Sequence, residues 1–137
     1  MKDENLVTRY AIKVVPPEWQ ETMPLPFNKT THDYSKIDQG TRVLVYRSGE
    51  GIIGEGEVHG FFLRPDEWPA QTTANLPASL AQADYLLPLG MLYTRDRVIS
   101  PDGVRDLLDD RSFPQSIEAW RPIGEDLYEA LTRWPNA

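Results

Sequence analysis

Residues 37–58 predict a β-hairpin, because the apolar residues Val43, Leu44 and Val45, with Tyr46, favour a strand and a glycine-rich run follows a short turn. Two extended runs, Thr41–Arg47 and Gly51–Val58, flank a short turn at Ser48–Gly49–Glu50. Strict alternation gives the second run two faces, which are Ile52, Gly54, Gly56, Val58 and Gly60 on one side and Ile53, Glu55, Glu57 and His59 on the other. Several glycines on one face are tolerated where a sheet bends sharply or where a ligand comes close. The hairpin therefore predicts a small curved barrel whose hollow holds a ligand.

Shorter patterns on either side of the hairpin predict the remaining elements. A first strand over residues 8–15 ends at Pro16–Pro17, because proline removes a ladder donor. Ser100 and Pro101 predict the start of a helix that runs to about Leu108, with the serine as N-cap. The other predictions are a long loop at 18–36, a short helix at 77–82, a strand at 85–98, an irregular segment at 111–123 and a closing helix at 125–134. Together they predict one α+β domain over residues 1–137, a curved, mostly antiparallel β-barrel with flanking helices.

The composition narrows the class of protein. The chain has 137 residues, no cysteine and a net charge of −7. It therefore has no disulfide framework and no thiolate metal site, and its charge argues against general binding along a phosphate backbone. The net charge does not exclude a local basic patch, and the residues that would form it are Arg42, Arg47, Arg64, Arg95, Arg97 and Arg121. The charged N-terminus, with no apolar run long enough for a bilayer, predicts a cytoplasmic protein without a membrane partner.

The hairpin and the segments after it resemble the EVE domain family. Residues 36–49, KIDQGTRVLVYRSG, and residues 51–58, GIIGEGEV, are similar to the central EVE hairpin. The order continues with ISPDGVRDL at 99–107, RPI at 121–123 and the closing helix. Lys13 stands where the first EVE strand ends in a lysine. EVE domains typically carry a tryptophan-containing segment after their first helix, and this chain has PFNKTT at 26–31 in that region instead.

The resemblance implies a PUA-like fold, a curved β-barrel with flanking helices that YTH and ASCH domains share. It also implies a binding module whose pocket, beside the glycine-rich hairpin, recognises a nucleobase, expected to be modified, in DNA or RNA. Two other functions stay open. One is an ASCH-like hydrolase acting on a modified nucleoside, in which Lys13 and Glu57 would supply two of the parts, although the sequence lacks the full ASCH motif. The other is a non-catalytic domain that binds proteins.

A base pocket needs flat walls and a few polar groups at the base edge. Trp19, Phe27 and Tyr34 are candidate walls, and the alternative is that they only pack the early loop onto the barrel. The other candidate binding residues are Lys13, Tyr46, Arg47 and Ser48 at strand ends, Lys29 in the early loop, and Trp120 and Arg121 before the last helix. The alternative for the four residues at strand ends is that they are exposed to solvent and bind nothing. The alternative for Trp120 is that it only packs against the end of the core.

Glu55, Glu57 and His59 share one predicted face of the second hairpin strand. They would suit acid–base chemistry or an oxygen-ligand metal site, but a solvent-facing stripe is the simpler interpretation. Two histidines without cysteine give no zinc spacing, and the chain has no P-loop, nucleophile-elbow or HExxH motif. The sequence therefore predicts no catalytic residue, no metal and no cofactor, leaves an enzymatic role open, and does not determine the oligomeric state.

Overall fold

A five-stranded sheet forms the centre of the protein, and a two-stranded sheet packs against it. The computed structural model describes residues 9–28, 37–68, 76–114 and 119–133. The strands are β1 (Tyr10–Val15), β2 (Leu25–Phe27), β3 (Arg42–Arg47), β4 (Gly51–Val58), β5 (Tyr85–Leu87), β6 (Leu89–Ile99) and β7 (Trp120–Ile123). The α-helices are α1 (Ala78–Ala81), α2 (Pro101–Leu108) and α3 (Glu125–Arg133), with a 3-10 turn at Pro65–Glu67. None of the helices in these ranges is long and apolar enough to cross a membrane.

The strand order in the large sheet is β6–β4–β3–β1–β7. β1 and β3 run parallel, and the other neighbouring pairs are antiparallel. β2 and β5 form the small sheet. The α+β class and the mostly antiparallel pairing are confirmed. The predicted closed barrel is not formed, because within the described ranges β6 and β7 remain the two edges of an open, bulged sheet.

Apolar side chains cover both faces of the large sheet. One face carries Lys13 and packs against α1 and the small sheet, and the other carries Glu55 and packs against α2 and α3. We call them the Lys13 face and the Glu55 face. The buried apolar residues are Val15, Trp19, Leu25, Phe27, Val43, Val45, Ile53, Val58, Leu80, Leu86 and Leu87 on the first, and Ile12, Val14, Leu44, Tyr46, Ile52, Ile99, Val104, Leu108, Phe113 and Leu131 on the second.

A bulge in β4 changes the alternation that the sequence predicts. Ile52 pairs with Tyr46, and Gly54 pairs with Val45. Ile53 is therefore an extra residue on the β4 side of the ladder. Side chains alternate between the two faces of a strand. After one extra residue, each later side chain therefore lies on the face opposite the one predicted by counting along the strand from Ile52.

The bulge places Glu55 on the face that the helices cover. Glu55 pairs with Leu44, and cross-strand partners share a face. The interpretation of Glu55 as part of a solvent-facing stripe opposite Ile52 is therefore wrong, since the two residues share a face and Glu55 is 1 % exposed. Glu57 is half-buried, and of the three predicted stripe residues only His59 is exposed.

Other differences from the sequence prediction depend on distant partners. Pro88 has no backbone N–H, and it divides the predicted strand 85–98 into β5 and β6. Two strands form in segments predicted as irregular, because β2 pairs with β5 and β7 pairs with β1. The predicted start of α2 is confirmed. The Ser100 hydroxyl accepts a hydrogen bond of 3.1 Å from the Gly103 backbone N–H.

Candidate functional site

Lys13 lies in the middle of the Lys13 face, and its side chain is fully buried. The residue pairs with Val45 on β3 and with Trp120 on β7, so a strand lies on each side of it. Its Nζ atom is 4.4 Å from the centroid of the Phe27 ring, within the range of a cation–π contact. Lysine is among the residue types least often fully buried in proteins. Its position here marks the Lys13 face as a candidate site.

The Phe27 ring, which contacts the Lys13 amine, belongs to a group of aromatic side chains. The Phe27 ring contacts Phe62 edge-on at 5.0 Å between centroids, and Trp120 at 5.4 Å with a 60° tilt. Tyr85 extends the group, with its ring 6.3 Å from that of Phe62. Phe27 is buried, whereas the other three rings are half-buried and reach the surface. Phe62 and Tyr85 are not among the residues that the sequence predicts, because only the distant pairings of β2 with β5 and of Leu63 with Leu86 bring them beside Phe27.

Trp19 and Arg47 hold the turn that follows β1. The Trp19 indole N–H donates to the Pro24 carbonyl at 2.9 Å, and the ring is buried in the same apolar cluster as Phe27. Arg47 donates to the Trp19 carbonyl at 2.8 Å and forms an ion pair with Glu50 at the same distance. These contacts stabilise the polypeptide around the candidate site.

Other predicted binding residues lie away from Lys13. Tyr46 is on the Glu55 face, with its ring edge-on to Phe113 at 5.4 Å. Ser48 lies in the turn after β3 and donates its backbone N–H to the end of β1. Arg121 forms an ion pair of 2.7 Å with Asp110. The structure therefore separates these three side chains from the ring cluster.

Five of the predicted residues share the Lys13 face, namely Lys13, Trp19, Phe27, Arg47 and Trp120. Lys29 and Tyr34 lie outside the described residues. The binding role of each predicted residue stays a prediction. The pair of Lys13 and Glu57, which the hydrolase alternative uses, is not brought together. Glu57 pairs with Arg42 on the Glu55 face, and its carboxylate lies across the sheet from the Lys13 amine.

Glu55 forms a second polar group, on the opposite face. Its Oε1 accepts a hydrogen bond of 2.6 Å from the Tyr93 hydroxyl, and its Oε2 accepts one from the Tyr128 hydroxyl. The Arg42 guanidinium lies 3.5 Å from the same Oε2. Tyr93 is the β6 partner of Glu55, and Tyr128 comes from α3. Three donors therefore satisfy a buried carboxylate that would otherwise be costly.

We expect these two tyrosines to make the folded state sensitive to high pH. Burial and the hydrogen bond to Glu55 raise the pKa of Tyr128 to about 12 and that of Tyr93 above its usual value. Because both pKa values are above those of the unfolded chain, the neutral hydroxyls stabilise the fold fully below about pH 10. That stabilisation is lost as the pH rises through the folded pKa. Urea unfolding from about pH 9 to about pH 12 measures the loss.

The matched variants for this measurement are Tyr93→Phe and Tyr128→Phe, which keep the rings and remove the titrating groups. Each variant is expected to show a shallower loss of stability between the unfolded and folded pKa values than the wild-type protein. A wild-type pH dependence in both variants would contradict the assignment.

The amino-acid sequence matches no known protein family and no curated protein. The fold, in contrast, is similar to solved structures. An ASCH protein from Zymomonas mobilis has a TM-score of 0.63 and 13 % identity over 93 % of this chain and 96 % of that chain. A hypothetical protein from Leishmania major has a TM-score of 0.59 and 15 % identity over 96 % of both chains. A protein from Pseudomonas putida has a TM-score of 0.59 and 11 % identity, over 90 % and 97 % of the respective chains.

At these identities the similarity concerns the fold alone. The arrangement of strands and helices resembles that of the ASCH structure. The expected likeness to an ASCH fold is thereby confirmed in its coarse form, and membership of the PUA-like superfamily stays a prediction. The finer resemblance to EVE domains stays a prediction.

Proposed function

We propose that the protein is a nucleic-acid-related binding domain that takes a nucleobase into the Lys13 face, beside the glycine-rich hairpin. The observation that carries this proposal is the fully buried Lys13, whose Nζ lies 4.4 Å from the Phe27 ring, a ring that itself contacts Phe62 and Trp120. The base is expected to carry a modification, as the resemblance to EVE domains implies. The ASCH-like fold supports the broader nucleic-acid-related role.

The aromatic rings provide the stacking surface that a base requires. Phe62, Tyr85 and Trp120 are half-buried, so a ligand that arrives from solvent meets their exposed edges first. Insertion of a flat base among these rings adds stacking energy of about 1–3 kcal/mol. Since Lys13 is fully buried in this structure, binding requires the side chains above it to move apart.

The Lys13 amine supplies the polar contact at the inner end of the pocket. An ammonium group has donors and no acceptor, so it selects a carbonyl oxygen or a ring nitrogen on the base edge. A hydrogen bond from a charged donor is stronger in a buried site than in water. Lys13 therefore discriminates between bases by the acceptor that each presents.

The charge of the chain favours recognition of the base over recognition of the strand. With a net charge of −7, the protein gains little from contacts along many phosphates. Each phosphate neutralised contributes about −0.7 to the salt slope on a single strand. We expect a shallow slope for this protein and affinity that remains at moderate salt.

Lys13→Met is expected to lower the affinity for the preferred base about ten- to a hundredfold, because it removes a charged donor and keeps the length of the side chain. The measurement is a titration of nucleosides, single strands and duplexes, each with and without methylated or hydroxymethylated bases, followed by fluorescence. A change in tryptophan emission that disappears in Trp120→Phe would locate the ligand beside that ring.

Tyr46→Phe is the matched control, since Tyr46 was predicted as a binding residue but lies on the Glu55 face. It should bind as the wild-type protein does. The proposal is overturned if no base is preferred, or if Lys13→Met binds with unchanged affinity while remaining folded. In that case a protein partner becomes the better candidate.

A further inference from the structure

A cleft opens on the Glu55 face, where β1 and β3 begin. Its volume is about 520 Å³, within the range of small-molecule sites. The residues that line it are Arg9, Tyr10, Gln39, Gly40, Thr41, Arg42 and Tyr128. The cleft lies across the sheet from the Lys13 amine, so it is separate from the pocket proposed above. Neither the fold similarity nor the sequence analysis assigns a role to it.

Two stacked tyrosines form one wall of the cleft. The rings of Tyr10 and Tyr128 are 4.0 Å apart between centroids and 21° from parallel. The Arg9 guanidinium carbon lies over the Tyr10 ring, 5.8 Å from its centroid. The wall therefore combines a flat apolar surface with a guanidinium group at its side.

The polar group around Glu55 fixes this wall from behind. The carboxylate accepts a hydrogen bond from Tyr128 and lies 3.5 Å from the Arg42 guanidinium. Glu55 is 1 % exposed, so it does not face a ligand in the cleft. The Arg42 side chain is 42 % exposed and lines the opening. The site is therefore held in place before any ligand arrives.

The charge of the lining differs from that of the whole chain. The protein carries −7, but the residues that line the cleft include two arginines and no carboxylate. The nearest carboxylate behind Gly40 belongs to the half-buried Glu57, 3.8 Å from where a β-carbon on Gly40 would lie. Two guanidinium groups beside an aromatic wall suit an anion attached to a flat ring. Arginine is well matched to phosphate because it donates two parallel hydrogen bonds.

We propose that this cleft is a second binding site, which takes a nucleotide with its base against the Tyr10–Tyr128 stack and its phosphate between Arg9 and Arg42. The ligand is a phosphate-bearing nucleotide, either free or at the end of a strand. A phosphate within a continuous strand fits less well, because the cleft is short and the protein around it is acidic. The site works independently of the Lys13 pocket.

The test compares ligands that differ only in the phosphate. Calorimetric titrations use the four nucleoside monophosphates, the matching nucleosides, inorganic phosphate, and a short oligonucleotide with and without a 5′-phosphate. Monophosphates are expected to bind at least about tenfold more tightly than nucleosides, because the phosphate adds charged hydrogen bonds. Preference for the free nucleotide or for the phosphorylated strand end then identifies the source of the ligand.

Arg42→Gln and Arg9→Gln are each expected to reduce that affinity about tenfold or more. Arg9→Gln is the safer variant for folding, since Arg9 is exposed while Arg42 contacts Glu55. Arg64→Gln is the control, because Arg64 is a surface arginine outside the cleft with acidic neighbours of its own. It should leave binding unchanged.

Three results would overturn the proposal. The first is equal binding of nucleotides and nucleosides, and the second is full affinity in both Arg9→Gln and Arg42→Gln. The third is a nucleotide affinity that falls in Lys13→Met and not in the arginine variants, which would move the ligand to the Lys13 face. Conversely, loss of base recognition in Lys13→Met with nucleotide binding intact would show that the two sites are separate.

Discussion

Gly51→Ala is expected to lower the free energy of unfolding by about 3 kcal/mol or more, a large share of the stability of a small domain. Gly51 starts β4 with a φ of +108°, a conformation that residues with side chains rarely adopt. A β-carbon there would lie 1.9 Å from the Ile99 carbonyl oxygen. Because that atom belongs to the backbone where β6 ends, no side-chain rotation relieves the clash. The strands or the start of α2 must shift instead.

Gly49→Ala is the matched control for this prediction. Gly49 lies two residues earlier and also has a positive φ, +87°, but a β-carbon there would meet nothing within 4 Å beyond its chain neighbours. Its replacement therefore introduces backbone strain alone, which costs about 1–2 kcal/mol. Urea unfolding at 25 °C measures both variants under the same conditions. Equal losses would show that the contact with Ile99 does not constrain the hairpin.

Glu55→Ala is expected to cost about 2–4 kcal/mol of stability. The substitution leaves the Tyr93 and Tyr128 hydroxyls without their shared acceptor and removes the ion pair with Arg42. It also opens space behind the stacked tyrosines of the cleft. Glu55→Gln should cost less, because the amide keeps the size of the side chain and one acceptor oxygen.

A double-mutant cycle makes this prediction specific. If Glu55 and Tyr93 interact as described, the cost of Tyr93→Phe should be smaller in the Glu55→Ala background than in the wild-type protein. Urea unfolding of the four proteins supplies the cycle. A Glu55→Ala protein as stable as the wild type, or fully additive costs, would contradict the buried cluster.

Local patterns were sufficient for the elements whose signals lie within a few residues. The hairpin runs are Arg42–Arg47 and Gly51–Val58 in the structure, almost as alternation and the Ser-Gly turn predict. The Ser100–Pro101 pair starts α2 as predicted, since an N-cap is decided by one side chain and a nearby backbone N–H. These features need no information from distant parts of the chain.

Features that depend on distant partners were missed. β7 forms in a segment that contains Pro122, because pairing with β1 compensates for a weak local preference. The barrel was inferred from glycines on one face, but Gly54 and Gly56 are tight against the backbone or side chains of β6 instead of facing a hollow. A glycine in a strand indicates that another group lies close to the backbone, but the sequence does not identify whether that group is a ligand or a neighbouring strand.

The candidate site shows the same division. The sequence predicts Lys13 through its position at a strand end and the resemblance to EVE domains, and Phe27 as an aromatic residue of the early loop, and the two lie together. The sequence does not predict Phe62 as a site residue, because no local pattern around it indicates a binding role. Tyr46 was assigned to the pocket by its position at a strand end, but the side to which its ring points follows from the register of β3 against its neighbours. Arg9, Tyr10 and Tyr128 become a cleft only when α3 packs beside the start of β1.

The extra residue at Ile53 changes how sequences can be compared along β4, because a residue's offset from the start of the strand no longer tells on which face its side chain lies. A profile built on strict alternation along β4 would assign the Glu55 carboxylate to water in any relative that keeps the bulge. Matching each residue to its partner across the ladder, such as Glu55 to Leu44, restores the correct assignment. Distant relatives of this chain are therefore best compared by ladder partner instead of by offset along the strand.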